Sequence, residues 1–113
     1  MDEIGRKALL FDFYGPLLTE KQREIYDYAF GEDMSLGEIA ETCGVSRQAV
    51  HDMVRRTGRI LEEYEAKLGL ADKFLDIEKH LSRIRGLVDT ENPTEKESAI
   101  AKEIEAIDLI ERK

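Results

Sequence analysis

The segment from Ser35 to Arg56, SLGEIAETCGVSRQAVHDMVRR, constrains the fold more than any other part of this chain. In it a small residue, Ala40, is followed four positions later by Gly44. Two helices that cross steeply through a short turn require a small residue where they meet and a turn residue that tolerates positive φ. The segment therefore predicts a helix-turn-helix.

The residues around this turn support the same prediction. Ser35 and Ser46 stand where each of the two helices needs an N-cap. We interpret Ala40, Gly44 and Val50 as the structural residues of the motif. The other apolar residues expected to line the joint are Leu36, Ile39, Cys43, Val45 and Met53. Burial in this joint explains the cysteine better than nucleophilic chemistry does.

The second helix of the motif carries the candidate nucleic-acid-binding residues, because its N-terminal part is the part that enters a major groove. These candidates are Ser46, Arg47, Gln48, His51, Arg55, Arg56 and Arg59. Arg47 and Gln48 have the side chains that read the edges of guanine and adenine, and the three later arginines suit phosphates. Two alternatives stay open. The surface is a solvated helix face that happens to be basic, or the motif is a scaffold that binds protein.

The distribution of charge bears on this choice. The chain of 113 residues has 25 Asp and Glu against 17 Lys and Arg, a net charge of -8. Residues 1–35 carry 4 basic and 8 acidic side chains (net -4), and residues 61–113 carry 9 and 14 (net -5). Residues 36–60 carry 4 basic and 3 acidic side chains (net +1). A local contact with phosphate is therefore compatible with the sequence, although the whole chain repels nucleic acid and binding should be weak unless helped.

The sequence offers little support for a disulfide, a membrane location, a metal site or a catalytic site. A single cysteine excludes an intramolecular disulfide. No apolar run approaches the roughly 20 residues that span a bilayer, and the N-terminus lacks the pattern of a signal peptide, so we expect a cytoplasmic protein with no membrane partner. His51 and His80 have no neighbours at metal-ligand spacing, and phosphate loops and nucleophile elbows are absent. We therefore expect no metal, no cofactor and no enzymatic activity.

Helical signals continue along the whole chain, which predicts an all-α fold. The first helix has Ile4, Ala8 and Phe11 at helical spacing, and it should end at Gly15-Pro16. The residues that widen this apolar stripe are Leu9, Leu10 and Phe13. Thr19 and Gln22 have the spacing of a capping box, and Gly69 is the expected stop of the fourth helix. We predict a helix-turn-helix domain over residues 1–69.

The remaining residues, 70–113, are predicted to form a C-terminal helical hairpin. Apolar residues recur at steps of three and four from Leu61 to Val88 and from Ile100 to Ile110, with a loop over residues 89–93. The hairpin should pack on the helix-turn-helix domain or on a second subunit. Because these stripes offer more apolar surface than a small helical head requires, a homodimer is a further prediction.

Two families carry closely related motifs. The stretch LTEKQREIYDYAFGEDMSLGEIAETCGVSRQAVHDMVRR resembles region 4 of bacterial sigma factors. The segments KALLFDFYGPLLTEKQREIYDYAF and VSRQAVHDMVRR are still more similar to the YlxM family, with the specific similarity running from Lys7 to Leu68. Members of that family are generally encoded beside the signal recognition particle GTPase or its receptor. The resemblance thus implies a role in that targeting pathway, with the particle's RNA or its GTPase as partners.

Three functional hypotheses follow from the residues and the resemblance together. The first is a regulatory nucleic-acid-binding protein of the signal recognition particle pathway. The second is a DNA-binding transcriptional regulator. The third is a protein-interaction adaptor on a helix-turn-helix scaffold.

Overall fold

The computed structural model describes residues 1–88 and 93–112, and this part of the chain contains helices and no strand. The prediction of an all-α fold is confirmed. The chain divides into two compact units, Met1–Leu68 and Gly69–Lys113. The first unit contains α1 (Glu3–Tyr14), a 3-10 turn (Gly15–Leu17), α2 (Glu20–Phe30), α3 (Leu36–Cys43) and α4 (Arg47–Leu68), and the second contains α5 (Leu70–Val88) and α6 (Pro93–Glu111).

Local hydrogen bonds begin three of these helices where the sequence predicts them. The Gln22 amide donates to the Thr19 hydroxyl at 3.2 Å, and the Thr19 amide donates back to the Gln22 side chain at 3.0 Å. Ser35 and Glu38 form the same reciprocal box at the start of α3. Ser46 accepts from the amide of Ala49 at 3.0 Å at the start of α4. Each cap contributes about 1 kcal/mol to its helix.

Glycine ends α3 and α4. Gly44 has φ 67° and ψ 34°, and Gly69 has φ 63°. Both lie in the left-handed region, which a residue with a Cβ enters only at a cost. The predicted stops at these two glycines are confirmed, and α1 ends at Tyr14, directly before Gly15-Pro16, as predicted.

The joint of the motif lies in a core of the first unit. Ile25 of α2, Ile39 and Ala40 of α3, and Val50 of α4 form one buried cluster. Several partly buried apolar residues pack against it, including Leu36, Cys43, Val45 and Met53. The helix-turn-helix prediction is confirmed, because the small residue, the left-handed turn and the apolar joint all occupy their expected places.

The inner face of α1 agrees with the prediction at Leu10 and differs from it at Ile4, Ala8 and Tyr14. Ile4 is 73% exposed and Ala8 is also exposed, whereas Leu10 and Tyr14 are buried. The Tyr14 hydroxyl donates to buried Glu65 of α4 at 2.5 Å. Apolar residues surround most of α1, so their spacing alone did not select the face that packs on α4.

The second unit is a pair of helices that pack on each other. Lys73, near the start of α5, donates from Nζ to the carbonyl oxygen of Glu111, near the end of α6, at 3.3 Å, so the two helices are antiparallel. His80 of α5 hydrogen-bonds with Glu103 of α6, and Arg83 lies 3.6 Å from the same carboxylate. The hydrogen bond from His80 is the main cause that lowers the pKa of Glu103. The predicted helical hairpin is confirmed.

The apolar stripes of the second unit are only partly buried. For example, the side chain of Phe74 is 41% exposed and that of Ile104 is 55% exposed.

The predicted loop over residues 89–93 lies outside the described residues except for Pro93. This proline is the first residue of α6, a position that suits proline. Across the described helices, none has a stretch both long and apolar enough to cross a membrane. Packing of the hairpin on a second subunit stays a prediction.

Candidate nucleic-acid interface

The start of α4 presents the residues predicted to read bases. Arg47 and Gln48 are both exposed in the first turn after the Ser46 cap. Arg47 lies beside α3, where its Nε is 3.8 Å from the position that a Cβ on Gly37 would occupy. The side-chain amide of Gln48 donates to the Asp52 carboxylate at 3.0 Å. Two polar side chains thus stand at the end of the helix that a groove would receive.

His51 lies one turn further along the same helix. It is exposed, and its Nδ1 is 3.8 Å from a carboxylate oxygen of Asp52. Asp52 therefore contacts both Gln48 and His51 and places one negative charge in the middle of an otherwise neutral or basic surface.

The arginines of α4 are exposed. Throughout residues 1–88 and 93–112, no ion pair involves Arg47, Arg55, Arg56 or Arg59. Elsewhere in the molecule, Arg6 pairs with Glu62 at 2.9 Å and Arg112 pairs with Asp108 at 2.7 Å, whereas Arg23 also has no ion pair among these residues. The guanidinium groups of α4 can therefore bind an external anion without first breaking an ion pair to a described residue.

These residues form a surface on the exposed half of α4 and at its N-cap, which we call the α4 basic face and define as Ser46, Arg47, Gln48, His51, Arg55, Arg56 and Arg59. At about 1.5 Å per residue, it extends roughly 18 Å from Arg47 to Arg59. Arg55 and Arg59 are four residues apart and share a side of the helix, whereas Arg56 lies one step further round. All seven predicted site residues are therefore exposed, six of them on α4 and Ser46 at its N-cap, although the sequence could not show which carboxylates would reach them.

A cleft adjoins this face on the side of α1 and α2. Its volume is about 330 Å³, and we call it the aromatic cleft. Its lining residues are Glu3, Lys7, Leu10, Tyr26, Phe30, Val54, Arg55, Gly58, Arg59 and Glu62. Sequence reasoning missed Lys7 and Phe30, because both lie outside the motif and only helix packing brings them to Arg55 and Arg59.

The aromatic cleft has an apolar floor and a charged rim. Leu10 and Tyr26 are each 2% exposed, whereas Phe30 is 40% exposed and its ring centroid is 4.6 Å from that of Tyr26. The Lys7 ammonium lies over the Phe30 ring, 5.0 Å from its centroid. Burial, followed by the negative charge of Glu62, raises the pKa of Tyr26 to about 12, so this phenol is neutral at ordinary pH.

The described residues bring together no group of three or more His, Cys, Asp or Glu side chains that could hold a metal ion. The site combines the arginines of α4 and Lys7 with neutral polar groups, an aromatic surface and the carboxylates of Glu3, Asp52 and Glu62. Its cations and its rings can bind anions and flat rings.

Comparison with known proteins agrees with this architecture. Residues 1–104 match the family UPF0122, described as "Putative helix-turn-helix protein, YlxM / p13 like". A UPF0122 protein of Shouchella clausii is 44% identical over 108 residues, covering 96% of this chain and 99% of that protein. One from Halalkalibacterium halodurans is 44% identical over 111 residues, with 98% and 99% covered. One from Symbiobacterium thermophilum is 51% identical over 85 residues, with 75% and 74% covered. These matches confirm the resemblance to the YlxM family.

Proposed function

The chain belongs to the YlxM- and p13-like helix-turn-helix family, and we propose that it binds nucleic acid through the α4 basic face. The observation that carries the proposal is the set of four exposed arginines without carboxylate partners, described above. Guanidinium groups that are exposed and hold no described carboxylate are available to a phosphate ligand, which they bind with charge-assisted, bidentate hydrogen bonds.

The two ends of the α4 basic face suit different parts of a nucleic acid. Arg47 and Gln48, at the N-terminal end, have the bidentate groups that recognise base edges. Arg55, Arg56 and Arg59 follow along the helix and suit the sugar–phosphate backbone. We propose a binding role without catalysis, in which the first pair sets preference and the three later arginines supply affinity.

The finer part of the proposal concerns the partner. We propose a regulatory role in the signal recognition particle pathway, supported by the family resemblance and by the charge distribution. The particle combines RNA with a basic protein, and this chain combines one basic ridge with acidic flanks at a net charge of -8. Complementary charge of this kind mainly accelerates association and selects the partner. Affinity for the assembled particle should therefore exceed affinity for its RNA or its GTPase alone.

The experiment compares fluorescence anisotropy titrations of the particle's RNA, the GTPase, the assembled particle and a duplex DNA. The test variant combines Arg55→Glu and Arg56→Glu. The matched control combines Lys102→Glu and Arg112→Glu, which change the net charge equally at exposed positions in α6 and directly after it. We expect the test variant to lose most of its affinity for the particle while the control retains it.

Other outcomes would redirect the assignment. Tightest binding to duplex DNA would favour the transcriptional regulator, to which the exposed Arg47 and Gln48 are also suited. Binding to the GTPase alone, unaffected by the arginine reversals, would favour the protein adaptor. A homodimer, which would give two-fold spacing of two motifs, is tested by sedimentation at high micromolar concentration.

A further inference from the structure

The aromatic cleft adjoins the α4 basic face and has a chemistry that duplex binding does not use. Duplex phosphates require only the exposed arginines, yet here two of them, Arg55 and Arg59, also stand at the rim of an apolar recess. The volume of about 330 Å³ lies at the lower end of the range for small-ligand sites. The recess therefore matches a ligand of roughly nucleotide size and is too small for a helix or a duplex.

We propose that the aromatic cleft receives one unpaired nucleotide of a single-stranded segment, with its base against Phe30 and its phosphates towards Arg55 and Arg59. The inference rests on the proposed nucleic-acid binding and extends it, because it names single-stranded nucleic acid as the preferred ligand. Sites for single strands combine aromatic surfaces, on which bases stack, with a cationic groove that follows the backbone. Bases stack in this way only where they are unpaired, in loops, bulges and ends.

The packing of Phe30 supports this role. Its ring is held from within the unit by Tyr26, whose own ring also stacks on Phe11 at 5.4 Å. Phe30 nevertheless remains 40% exposed, so part of its ring is accessible to a ligand. The three rings form a fixed platform, so little conformational freedom would be lost when a base stacks on it.

Lys7 now occupies a position that the base would take. Its ammonium lies 5.0 Å from the Phe30 centroid and 3.5 Å from a carboxylate oxygen of Glu3. Base stacking on an aromatic ring is stronger than an exposed cation–π contact, so a base would displace the ammonium. The displaced ammonium would remain at the rim, where it adds a third cation beside Arg55 and Arg59. The carboxylate of Glu62, also at the rim, is already paired with Arg6 at 2.9 Å.

Gly58 provides a direct test because it lies in the wall of the cleft. A Cβ added there would be 3.9 Å from the Tyr26 hydroxyl, an ordinary contact, so Gly58→Ala fits without strain. Gly58→Met would carry three further heavy atoms into the cleft. Alanine and methionine have similar helix propensities, so the two variants differ mainly in how much of the cleft they fill.

The probes are a short fluorescein-labelled RNA strand of mixed sequence, the matching DNA strand, and each strand annealed to its complement. For wild type and Gly58→Ala, we expect tighter binding to single strands than to duplexes. Gly58→Met should lose about tenfold of its single-strand affinity, the size of one lost base-stacking contact. Its affinity for the duplexes should stay within about twofold of the Ala variant. Circular dichroism melts verify that both variants fold.

A second pair of variants keeps the test decisive if Gly58→Met does not fold. Phe30→Tyr retains the ring and should retain single-strand affinity, whereas Phe30→Leu should lose about tenfold. The proposal is overturned if Met and Ala at position 58 bind single strands equally, or if Phe30→Leu has no effect. Should Arg56→Gln still weaken binding in that case, the proposed function stands without the cleft. If no strand or duplex binds at any salt concentration, both the inference and the proposed function fail.

Discussion

Replacement of Arg56 by Gln tests whether the unpaired arginines of α4 contact phosphate, and its effect can be worked out from the structure. Four arginines on this helix are exposed and have no ion pair within the described residues. If Arg55, Arg56 and Arg59 each neutralise one phosphate of a duplex, the slope of log affinity against log salt should be about -2.7, since each contact contributes about 0.9. Between about 50 and 200 mM salt, affinity should then fall roughly 40-fold.

Arg56→Gln removes one of these contacts and should reduce the slope to about -1.8. Affinity should then fall only about 12-fold over the same salt range. Arg56 lies away from the residues that line the aromatic cleft, so its replacement changes charge without disturbing that site. Anisotropy titrations at four or more salt concentrations, with one labelled duplex, measure both slopes.

Arg112→Gln is the matched control for this measurement. It removes the same charge from the other unit, where Arg112 is already paired with Asp108 at 2.7 Å. We expect the wild-type slope from this variant. If Arg56→Gln left the slope unchanged, Arg56 would not contact a phosphate. If both variants reduced the slope equally, Arg56 would act through net charge and not through a phosphate contact.

Three further predictions concern single residues. Asp52→Asn should roughly double nucleic-acid affinity at low salt, as measured by anisotropy. The substitution removes a carboxylate from the α4 basic face, and the repulsion between that charge and a phosphate about 8 Å away in water accounts for a change of this size. The asparagine still offers an acceptor for the Gln48 side chain. Gly44→Ala should lower the free energy of unfolding in urea by about 1–2 kcal/mol, and Gly44→Asn by less, because φ is 67° and no atom within 4 Å would meet the new Cβ. The pKa of Tyr26 is raised from 10.0 to about 12, so the folded state binds this proton more tightly than the unfolded state. The free energy of unfolding of the wild-type protein should therefore decline as pH rises from 10 towards 12. In urea unfolding, Tyr26→Phe should show a smaller decline over the same pH range. An unchanged decline in the Phe variant would assign it to other groups.

Much of the fold was predictable because the signals that determine it are local. A capping box such as Thr19 and Gln22 joins groups three residues apart, so its geometry follows once a helix begins there. The left-handed conformation at Gly44 depends on the absence of one Cβ, and the joint follows from the fixed spacing between Ala40 and that glycine. The exposure of Arg47 and its neighbours on α4 followed from the same motif.

Other features depended on which helices pack together, and sequence periodicity could not select them. The inner face of α1 contains Leu10 and Tyr14 rather than Ile4, because the packed position of Tyr14 brings its hydroxyl to Glu65, 51 residues away. The same packing brings Lys7 and Phe30 to the arginines of α4 and forms the aromatic cleft. Caps and turns are governed by neighbours along the chain, whereas the cleft and the pairing of each charge are governed by distances between helices. The sequence by itself therefore determined the motif and its exposed arginines, and only the tertiary structure decided which of those arginines stay unpaired and what surface lies beside them.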